Sequence, residues 1–263
     1  MTHDLRRLLI AVSGVTFAVV LMFMERGFQN ALFDSTVALV KNLDADIVIT
    51  CTSRYSLSSS SRFPTNQISL ARGCDGVAAA YPVYVENYMA VLREPKHHSR
   101  PIRVVGFDLR ADLLSKELTP ALEEYRQLLL GPHTAIIDVK SKKSIYEIDP
   151  TLASPDRPLE LLLANKSISI VGTFELGTDF ANDGTLLMSE ENFAEFFSFR
   201  QLPAHPLSTA DLGLVMVETG RDVEKVRTNL ARELGPSVEV RTRQNFIETE
   251  IAFWDDNTPI GVI

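Results

Sequence analysis

The feature that most constrains this chain is an uninterrupted apolar run near its N-terminus. Residues 8–24 contain no charged side chain, and Arg6 and Arg7 precede them directly. As a helix rising ~1.5 Å per residue, the run would be about 26 Å long, close to the ~30 Å hydrocarbon core of a bilayer. The run predicts a transmembrane helix. The arginine pair predicts that residues 1–7 are cytoplasmic and that the rest of the chain lies outside.

Two other structures can contain such a run. A cleaved signal peptide typically has an apolar core of ~7–15 residues followed by a small-residue cleavage site, whereas residues 20–26 read VLMFMER. A core helix of a soluble protein rarely needs so long a charge-free run beside two arginines. We therefore expect an uncleaved membrane helix over residues 8–24.

The helical pattern continues beyond the apolar run. Apolar residues such as Phe28, Val37 and Leu43 recur at three- to four-residue spacing with polar residues between them, and no proline intervenes. This pattern predicts a stalk helix over residues 25–43 that stands in water and packs one face on a partner. Gly27 is its expected weak point, because glycine costs ~1 kcal/mol inside a helix.

The C-terminal part of the sequence has features of a second helix that enters the membrane. Trp254 has the character of an interfacial anchor, and an apolar run begins at Pro259. Residues 244–263 are therefore predicted to be a second stalk helix and the start of a truncated second transmembrane helix.

Between the two stalks, strand and helix patterns alternate. Strand, helix and strand patterns occur in residues 44–109 and again in residues 206–243, and residues 110–205 interrupt them. The sequence predicts an α+β domain with one lobe built from two βαβ-like halves and an inserted second lobe at residues 110–205. The serine-rich segment 53–67 predicts a mobile loop.

The individual elements follow from local patterns. Thr65 is a candidate N-cap for a short helix ending near Cys74, Pro82 marks a bulge or edge in a long strand, and Ser189 is a candidate N-cap. Strands are predicted at 45–50, 77–92, 101–109, 134–141, 167–176, 185–188, 211–220 and 238–242, and helices at 68–74, 118–131, 189–197, 221–234 and 243–254.

Motifs for nucleotide or hydrolytic chemistry are missing from the sequence. It contains no GxxxxGK[ST], no GxGxxG after a strand, no GxSxG and no HExxH. We therefore predict no catalytic residue and no cofactor, and the chain is not expected to be an enzyme. The net charge of -8 argues against a nucleic-acid partner, and Lys140, Lys142 and Lys143 are expected to be solvated.

Metal ligation is not expected either. His97 and His98 are adjacent, and neighbouring residues of a strand point to opposite faces. Asp179, Asn182 and Asp183 superficially resemble a calcium loop, but they lack the alternate ligand spacing and the later bidentate glutamate. A turn before the next strand is the preferred interpretation.

The remaining candidates are two acidic pairs and two cysteines. Asp44 with Asp46, and Asp255 with Asp256, could do acid–base work, but no nucleophile accompanies them and we expect solvated helix ends. Cys51 and Cys74 are the two cysteines. A disulfide between them and two buried free thiols both stay open, because the sequence does not supply the geometry.

Several stretches together resemble a known family of membrane proteins. These are LMFMERGFQNALFDSTVALVKNLDADIVI, YPVY, PIRVVGFDL, GTFELGTDFANDGTLLMSEENF and WDDNTPIGVI. They resemble the DevC group of ABC-transporter permeases, within the wider MacB/FtsX-like permease family. The resemblance covers most of the chain and is weaker over residues 110–165.

This resemblance implies a fold and a set of partners. It implies an inner-membrane permease with a two-lobed MacB-like periplasmic domain between its first two membrane helices. The implied partners are a separate cytoplasmic ABC ATPase, a periplasmic membrane-fusion adaptor, indirectly an outer-membrane channel, membrane lipid, and a second copy in a homodimer. DevC-like systems are associated with glycolipid export in cyanobacteria. The resemblance carries over no catalytic, cofactor or metal site.

Two other functions are compatible with the same pattern. A membrane-anchored extracytoplasmic sensor or receptor would need a cytoplasmic signalling module after the second membrane helix. An anchored periplasmic enzyme would need a convergent polar cluster in a deep pocket. The empty motif search favours transport over both.

Overall fold

A computed structural model describes residues 2–93, 99–179, 181–201 and 205–257. His97, His98 and the apolar run from Pro259 therefore lie outside the described residues. The α-helices are α1 Thr2–Thr36, α2 Ala38–Lys41, α3 Asn66–Arg72, α4 Thr119–Leu129, α5 Lys143–Tyr146, α6 Glu190–Phe196, α7 Val223–Leu234 and α8 Arg243–Asn257, and 3-10 turns cover Pro150–Leu152, Ser198–Gln201 and Pro206–Ser208. The strands are β1 Ile47–Cys51, β2 Phe63–Pro64, β3 Val77–Glu86, β4 Val91–Arg93, β5 Arg100–Pro101, β6 Arg103–Phe107, β7 Thr134–Asp138, β8 Leu159–Leu163, β9 Lys166–Phe174, β10 Thr185–Ser189, β11 Thr209–Ala210, β12 Leu212–Val217 and β13 Val238–Thr242.

One large mixed sheet organises the domain. Its eleven strands follow the order β13-β1-β12-β3-β6-β10-β7-β9-β8-β4-β5, and β11 pairs separately with β2. Most neighbours are antiparallel, while β6–β10 and β7–β9 are parallel. β4 pairs with β8, so backbone hydrogen bonds join residues 44–109 to the predicted insertion 110–205. The boundaries of the two lobes remain a prediction.

The sheet has a hydrophobic core on each face. One core contains side chains of α3, α6 and α7, and the other contains Val37, which directly follows α1, and side chains of α2, α4 and α8. This three-layer arrangement confirms the mixed helix-and-sheet class predicted from the sequence. Gly106 shows how closely the layers approach, because an added Cβ would lie 2.5 Å from Phe193 Cβ in α6.

The N-terminal helix is long, apolar and exposed. Its segment Ile10–Thr36 is long and apolar enough to cross a membrane, and none of its most apolar window is buried. The helix passes through Gly27 without a break and ends at Thr36, and the weak point expected at Gly27 stays a prediction. Val37 leaves helical geometry with φ of -103° and ψ of 3°, and the short helix α2 follows. The stalk predicted over residues 25–43 is thus interrupted once, where the chain enters the core.

Local patterns placed most elements correctly. Ser189 caps α6, since its Oγ accepts a bond from Asn192 N at 3.2 Å. Thr65 precedes α3 but makes no side-chain capping bond. Pro82 lies in β3 where only β12 pairs with it, because pairing with β6 begins at Val83. Pro82 is thus unpaired on one side, as at an edge, although β3 is an interior strand of the sheet, and the strand predicted over 77–92 is divided into β3 and β4.

Candidate functional site

Both long helices leave the domain past the same end of the sheet. At the start of β1, Arg243 N of α8 donates to Asp46 O at 2.9 Å. Beyond the end of β1, Leu57 N donates to Glu250 of the same helix. Helix α8 therefore runs along the sheet in the direction of β1. Thr36, at the end of α1, lines the same small cavity as Glu250 and Trp254. We call this end of the sheet the basal end.

The contact between α8 and the domain is centred on Glu250. Its buried carboxylate accepts bonds from Leu57 N at 2.9 and 2.8 Å and from Trp254 Nε1 at 3.1 Å. Burial raises the pKa of Glu250, and the donors Leu57 N and Trp254 Nε1 oppose that shift. A charged residue thus fixes α8 to the backbone of the loop that follows β1.

The same loop is fixed to the sheet by Arg54. Its guanidinium donates to Leu57 O at 2.9 Å and to Ser61 O at 2.7 Å, both within the loop. It also donates to Asp211 Oδ1 at 3.0 Å, at the start of β12. A buried arginine thus bonds carbonyl groups between Arg54 and Ser61, and the mobility expected of the serine-rich segment stays a prediction.

Asp211 interacts with several buried arginine side chains. Besides Arg54, it accepts bonds from Arg200 Nη2 and from Val85 N, the latter at 2.9 Å. Arg62 Nε lies 3.6 Å from Asp211 Oδ1, and Arg62 Nη2 donates to Glu86 at 3.2 Å. We call the five residues Arg54, Arg62, Glu86, Arg200 and Asp211 the buried ion cluster.

The charges of this region balance once the helix residue is included. Three arginines face the carboxylates of Glu86, Asp211 and Glu250, giving three positive and three negative charges. Burial lowers the pKa of Arg54, and the charges of Asp211 and Glu250 oppose that shift. Because breaking one partner of a buried pair leaves an uncompensated charge, the cluster is stable only with its members in place.

A second ionic contact lies on the other side of the small cavity. Arg103 pairs with Asp179 and donates to Thr185 Oγ1. Asp179 also accepts from Ala181 N and Asn182 N at 2.9 and 2.7 Å, so the sequence that resembles a calcium loop forms a turn held by its own amides. The cavity between these groups has a volume of about 10 Å³, room for about one water molecule.

The other candidates from the sequence do not converge. Asp44, Asp46, Asp255 and Asp256 are exposed, and Asp46 accepts a bond from Val217 N at 2.8 Å. Lys140, Lys142 and Lys143 form separate exposed pairs with Glu175, Asp183 and Asp149. Among the residues that the structure describes, no group of three or more His, Cys, Asp or Glu could hold a metal ion.

The two cysteines are free thiols. Cys51 Sγ lies 3.2 Å from Ser53 Oγ, and Cys74 Sγ lies 3.5 Å from Leu70 O. Both side chains are half-buried. Of the two alternatives left open by the sequence, a disulfide or free thiols, the structure has the free thiols. Burial raises the pKa of Cys74, so its thiol form is favoured.

Sequence reasoning did not find the buried ion cluster or Glu250. A signal for Glu250 is nevertheless present, because it occupies the apolar stripe formed by Phe246, Ile247, Ile251 and Trp254 on the last helix. A glutamate at such a position requires a buried partner. The cluster itself carries no local signal, since Arg54 and Asp211 are 157 positions apart.

These contacts suit a mechanical role better than a chemical one. They join helix α8, a loop and the sheet through charged groups that are already paired with one another. No group in this set combines an activated nucleophile with a base. The junction fixes α8 in one position on the sheet.

Comparisons with known proteins give the fold a precedent. No protein-family model matches the chain, and no curated protein matches its sequence. The periplasmic region of MacB from Actinobacillus actinomycetemcomitans is similar in structure, with a TM-score of 0.50 and 10% identity, over 81% of this chain and 94% of that one. The extracellular domain of the noncanonic ABC-type transporter YknZ from Gram-positive bacteria matches with a TM-score of 0.47 and 13% identity, over 75% and 98% of the two chains. The chain has the fold of a MacB-like periplasmic domain.

Proposed function

We propose that this chain is the permease subunit of an ABC exporter and that α1 and α8 carry movement between the membrane and the domain. The fold of the MacB periplasmic region supports this proposal, as does an exposed apolar helix long enough to span a bilayer. In this proposal α1 anchors the chain in the inner membrane with its N-terminus in the cytoplasm, and the sheet domain lies in the periplasm.

The proposed partners follow the resemblance seen in the sequence. A separate cytoplasmic ATPase supplies the energy, and a periplasmic adaptor connects a homodimer of the permease to an outer-membrane channel. The cargo is proposed to be an envelope substrate of the glycolipid class, as in DevC-like systems. The chain itself catalyses no reaction in this scheme.

One observation carries the coupling step. Helix α8 is bonded through Glu250 to the loop 52–62, and Arg54 bonds that loop to Asp211 at the start of β12. If α8 shifted along its axis, it would therefore pull on the loop, and the loop would transmit the force to the sheet. Helix α8 could not slide past the sheet without breaking these bonds. Helix α1 packs against α8, so the two helices form a paired lever.

A proline in the exposed part of α1 tests the lever. Proline at Gly27 removes one helical hydrogen bond and clashes with the preceding turn, at a cost of ~3 kcal/mol or more to the helix. Gly27→Pro should leave the periplasmic domain folded and ATP hydrolysis by the assembled transporter active, while export falls. The measurements are ATP hydrolysis, export and the amount of permease in the membrane, in cells carrying the full transporter.

Gly27→Ala is the matched control. An added Cβ at this position meets nothing within 4 Å, and alanine favours the helix by ~1 kcal/mol. Gly27→Ala should therefore export at the wild-type rate. Equal export by Gly27→Pro and Gly27→Ala, at equal membrane abundance, would refute the lever.

A further inference from the structure

The short turn between β3 and β4 shows that half of the sheet is strongly curled. Strand β3 ends at Glu86 and β4 begins at Val91, and residue steps of ~3.3–3.6 Å between them reach ~18 Å at most. In the order of the sheet, β6, β10, β7, β9 and β8 lie between these two strands, which at ~4.8 Å per neighbour places them ~29 Å apart in a flat sheet. The strands from β3 to β4 therefore curl back on themselves, and residues 87–90 close the open side of the curl. We call residues 87–90 the clasp.

Glu86 joins the clasp to the buried ion cluster. Its side chain is buried, and its two carboxylate oxygens have different partners. Oε1 accepts bonds from Tyr88 N at 3.2 Å and from Met89 N at 3.1 Å, both in the clasp. Oε2 accepts a bond from Arg62 Nη2 at 3.2 Å, at the end of the loop 52–62. A single carboxylate thus holds the clasp amides on one side and the loop on the other.

A second bond joins the clasp to the same loop, next to the residue that holds α8. The hydroxyl of Tyr88 donates to Ser58 O at 3.0 Å. The preceding residue, Leu57, donates its backbone N–H to Glu250 at 2.9 and 2.8 Å. Helix α8 and the clasp are therefore attached to adjacent residues of one loop.

We propose that the attachment of α8 to Leu57 holds the clasp closed, so that α8 controls the closure of the curled half of the sheet. Coupling of this kind is carried by contiguous contacts, and here two adjacent loop residues connect the helix to the clasp. Without the bonds to Glu250, the loop 52–62 loses its link to α8. Ser58 and Arg62, the loop residues that bond the clasp and Glu86, then move with the loop.

The pairing of β4 with the edge of the sheet does not depend on this loop. Leu92 of β4 pairs with Leu163 of β8, and Ala164 N donates to Val91 O at 3.0 Å. Release of the clasp should therefore free residues 88 and 89 while β4 stays attached to β8. The inference deepens the proposed lever, because it names the part of the domain that a shift of α8 reaches.

The test is hydrogen exchange resolved to single amides in the purified full chain in detergent. Exchange of an amide reports the local opening that exposes it. Glu250→Ala should speed exchange at Tyr88 and Met89 at least tenfold and change exchange at Ala164 less than twofold. Glu248→Ala, on the exposed side of the same helix, is the matched control and should leave all three amides at the wild-type rate.

Two milder variants keep the test decisive if Glu250→Ala does not fold. Glu250→Gln keeps one carbonyl acceptor and should speed exchange at Tyr88 and Met89 by a smaller factor. Tyr88→Phe removes only the hydroxyl that bonds Ser58 O, so exchange at residue 89 should rise while Leu57 N, still bonded to Glu250, keeps its wild-type rate.

The outcomes separate the clasp from the lever. If the loop 52–62 exchanges faster in the Glu250 variants while residues 88 and 89 stay within twofold of wild type, the clasp proposal is overturned. Equal acceleration at residues 88, 89 and 164 also overturns it, because the whole curled half would then open together. Neither result bears on the Gly27 variants, since hydrogen exchange needs no ATP and no export, and failure of the lever leaves the exchange test unchanged.

Discussion

The N-terminal helix α1 and the C-terminal helix α8 are attached to the same sheet by different means. Helix α1 is followed by a buried apolar segment that includes Val37, Leu39 and Leu43. Helix α8 also buries apolar side chains, but its contact with the loop 52–62 is made by the charged Glu250. Apolar contacts stabilise a packed helix but depend little on its exact orientation. Hydrogen bonds to a buried carboxylate require particular distances and angles, so they also fix the orientation. In the proposed lever, α1 would therefore hold the domain and α8 would set its position.

A substitution in the buried ion cluster should have the largest effect on the free energy of unfolding. Asp211→Ala leaves Arg54 and Arg200 buried without their common carboxylate. We expect a loss of ~3–5 kcal/mol in the free energy of unfolding. Denaturant unfolding of the chain in detergent measures it. Asp156→Ala, at an exposed carboxylate, should change the same quantity by less than ~0.5 kcal/mol. Similar values for the two variants would show that the cluster does not hold the loop.

Truncation of the apolar attachment of α1 should have the next largest effect. Leu43 is fully buried in the core that also contains Leu114 and Phe246. Leu43→Ala should cost ~2–4 kcal/mol through lost burial and the cavity it leaves. Leu152→Ala, at a half-exposed leucine, is the control. If hydrogen exchange in α8 rises as much as exchange in residues 38–47, the two attachments are not independent and the comparison fails.

Substitution of Glu250 should loosen α8 specifically. Glu250→Ala leaves Leu57 N and Trp254 Nε1 without their acceptor, and we expect a cost of ~2–3 kcal/mol. Glu250→Gln keeps one carbonyl acceptor and should cost less. Hydrogen exchange by mass spectrometry should show faster exchange at residues 52–62. Glu248→Ala, on the exposed side of the same helix, should leave that exchange unchanged. Slow exchange of the loop in Glu250→Ala would contradict the attachment.

The smallest expected effect is a dependence on pH. Burial raises the pKa of Glu250 in the folded protein above its ordinary value. The folded state therefore holds this proton at pH values where the unfolded state has lost it, and stability from this group falls as pH rises from ~4.3 through the folded pKa. The stability difference between wild type and Glu250→Gln should shrink over that range. A difference that grows with pH would show that the charge of Glu250 is favoured in the folded state.

The fold was predictable where a local pattern decides the structure. Helical periodicity located α7 and α8, alternating apolar residues located most strands, and Ser189 identified the start of α6. Strand β8 was missed, because LELLL lacks the β-branched residues that mark a strand. The break after α1 was also missed, because the helical pattern continues to residue 43. Gly27 weakens the helix locally, but the chain turns at Val37, where the core takes over.

The junction was not predictable for a different reason. The serine-rich composition of residues 53–62 favours disorder, whereas contacts with distant residues, including Asp211 and Glu250, hold this segment. Such contacts join positions that are far apart in the chain, so no window of sequence contains both partners. Glu250 alone has a signal in the sequence, because it is a charged residue on the apolar stripe of a helix.

The bond that joins Glu250 to the loop has a consequence for genetics. Its donor is the backbone amide of Leu57, which every residue except proline supplies. Exchanging the leucine for another side chain would disturb packing but leave this donor in place. Apart from proline at position 57, the only side-chain exchange that removes this bond is therefore one at Glu250. A mutational scan of the loop would find tolerant positions and overlook the contact. An ester in place of the Leu57 amide, introduced by chemical synthesis, would remove the donor without changing any side chain.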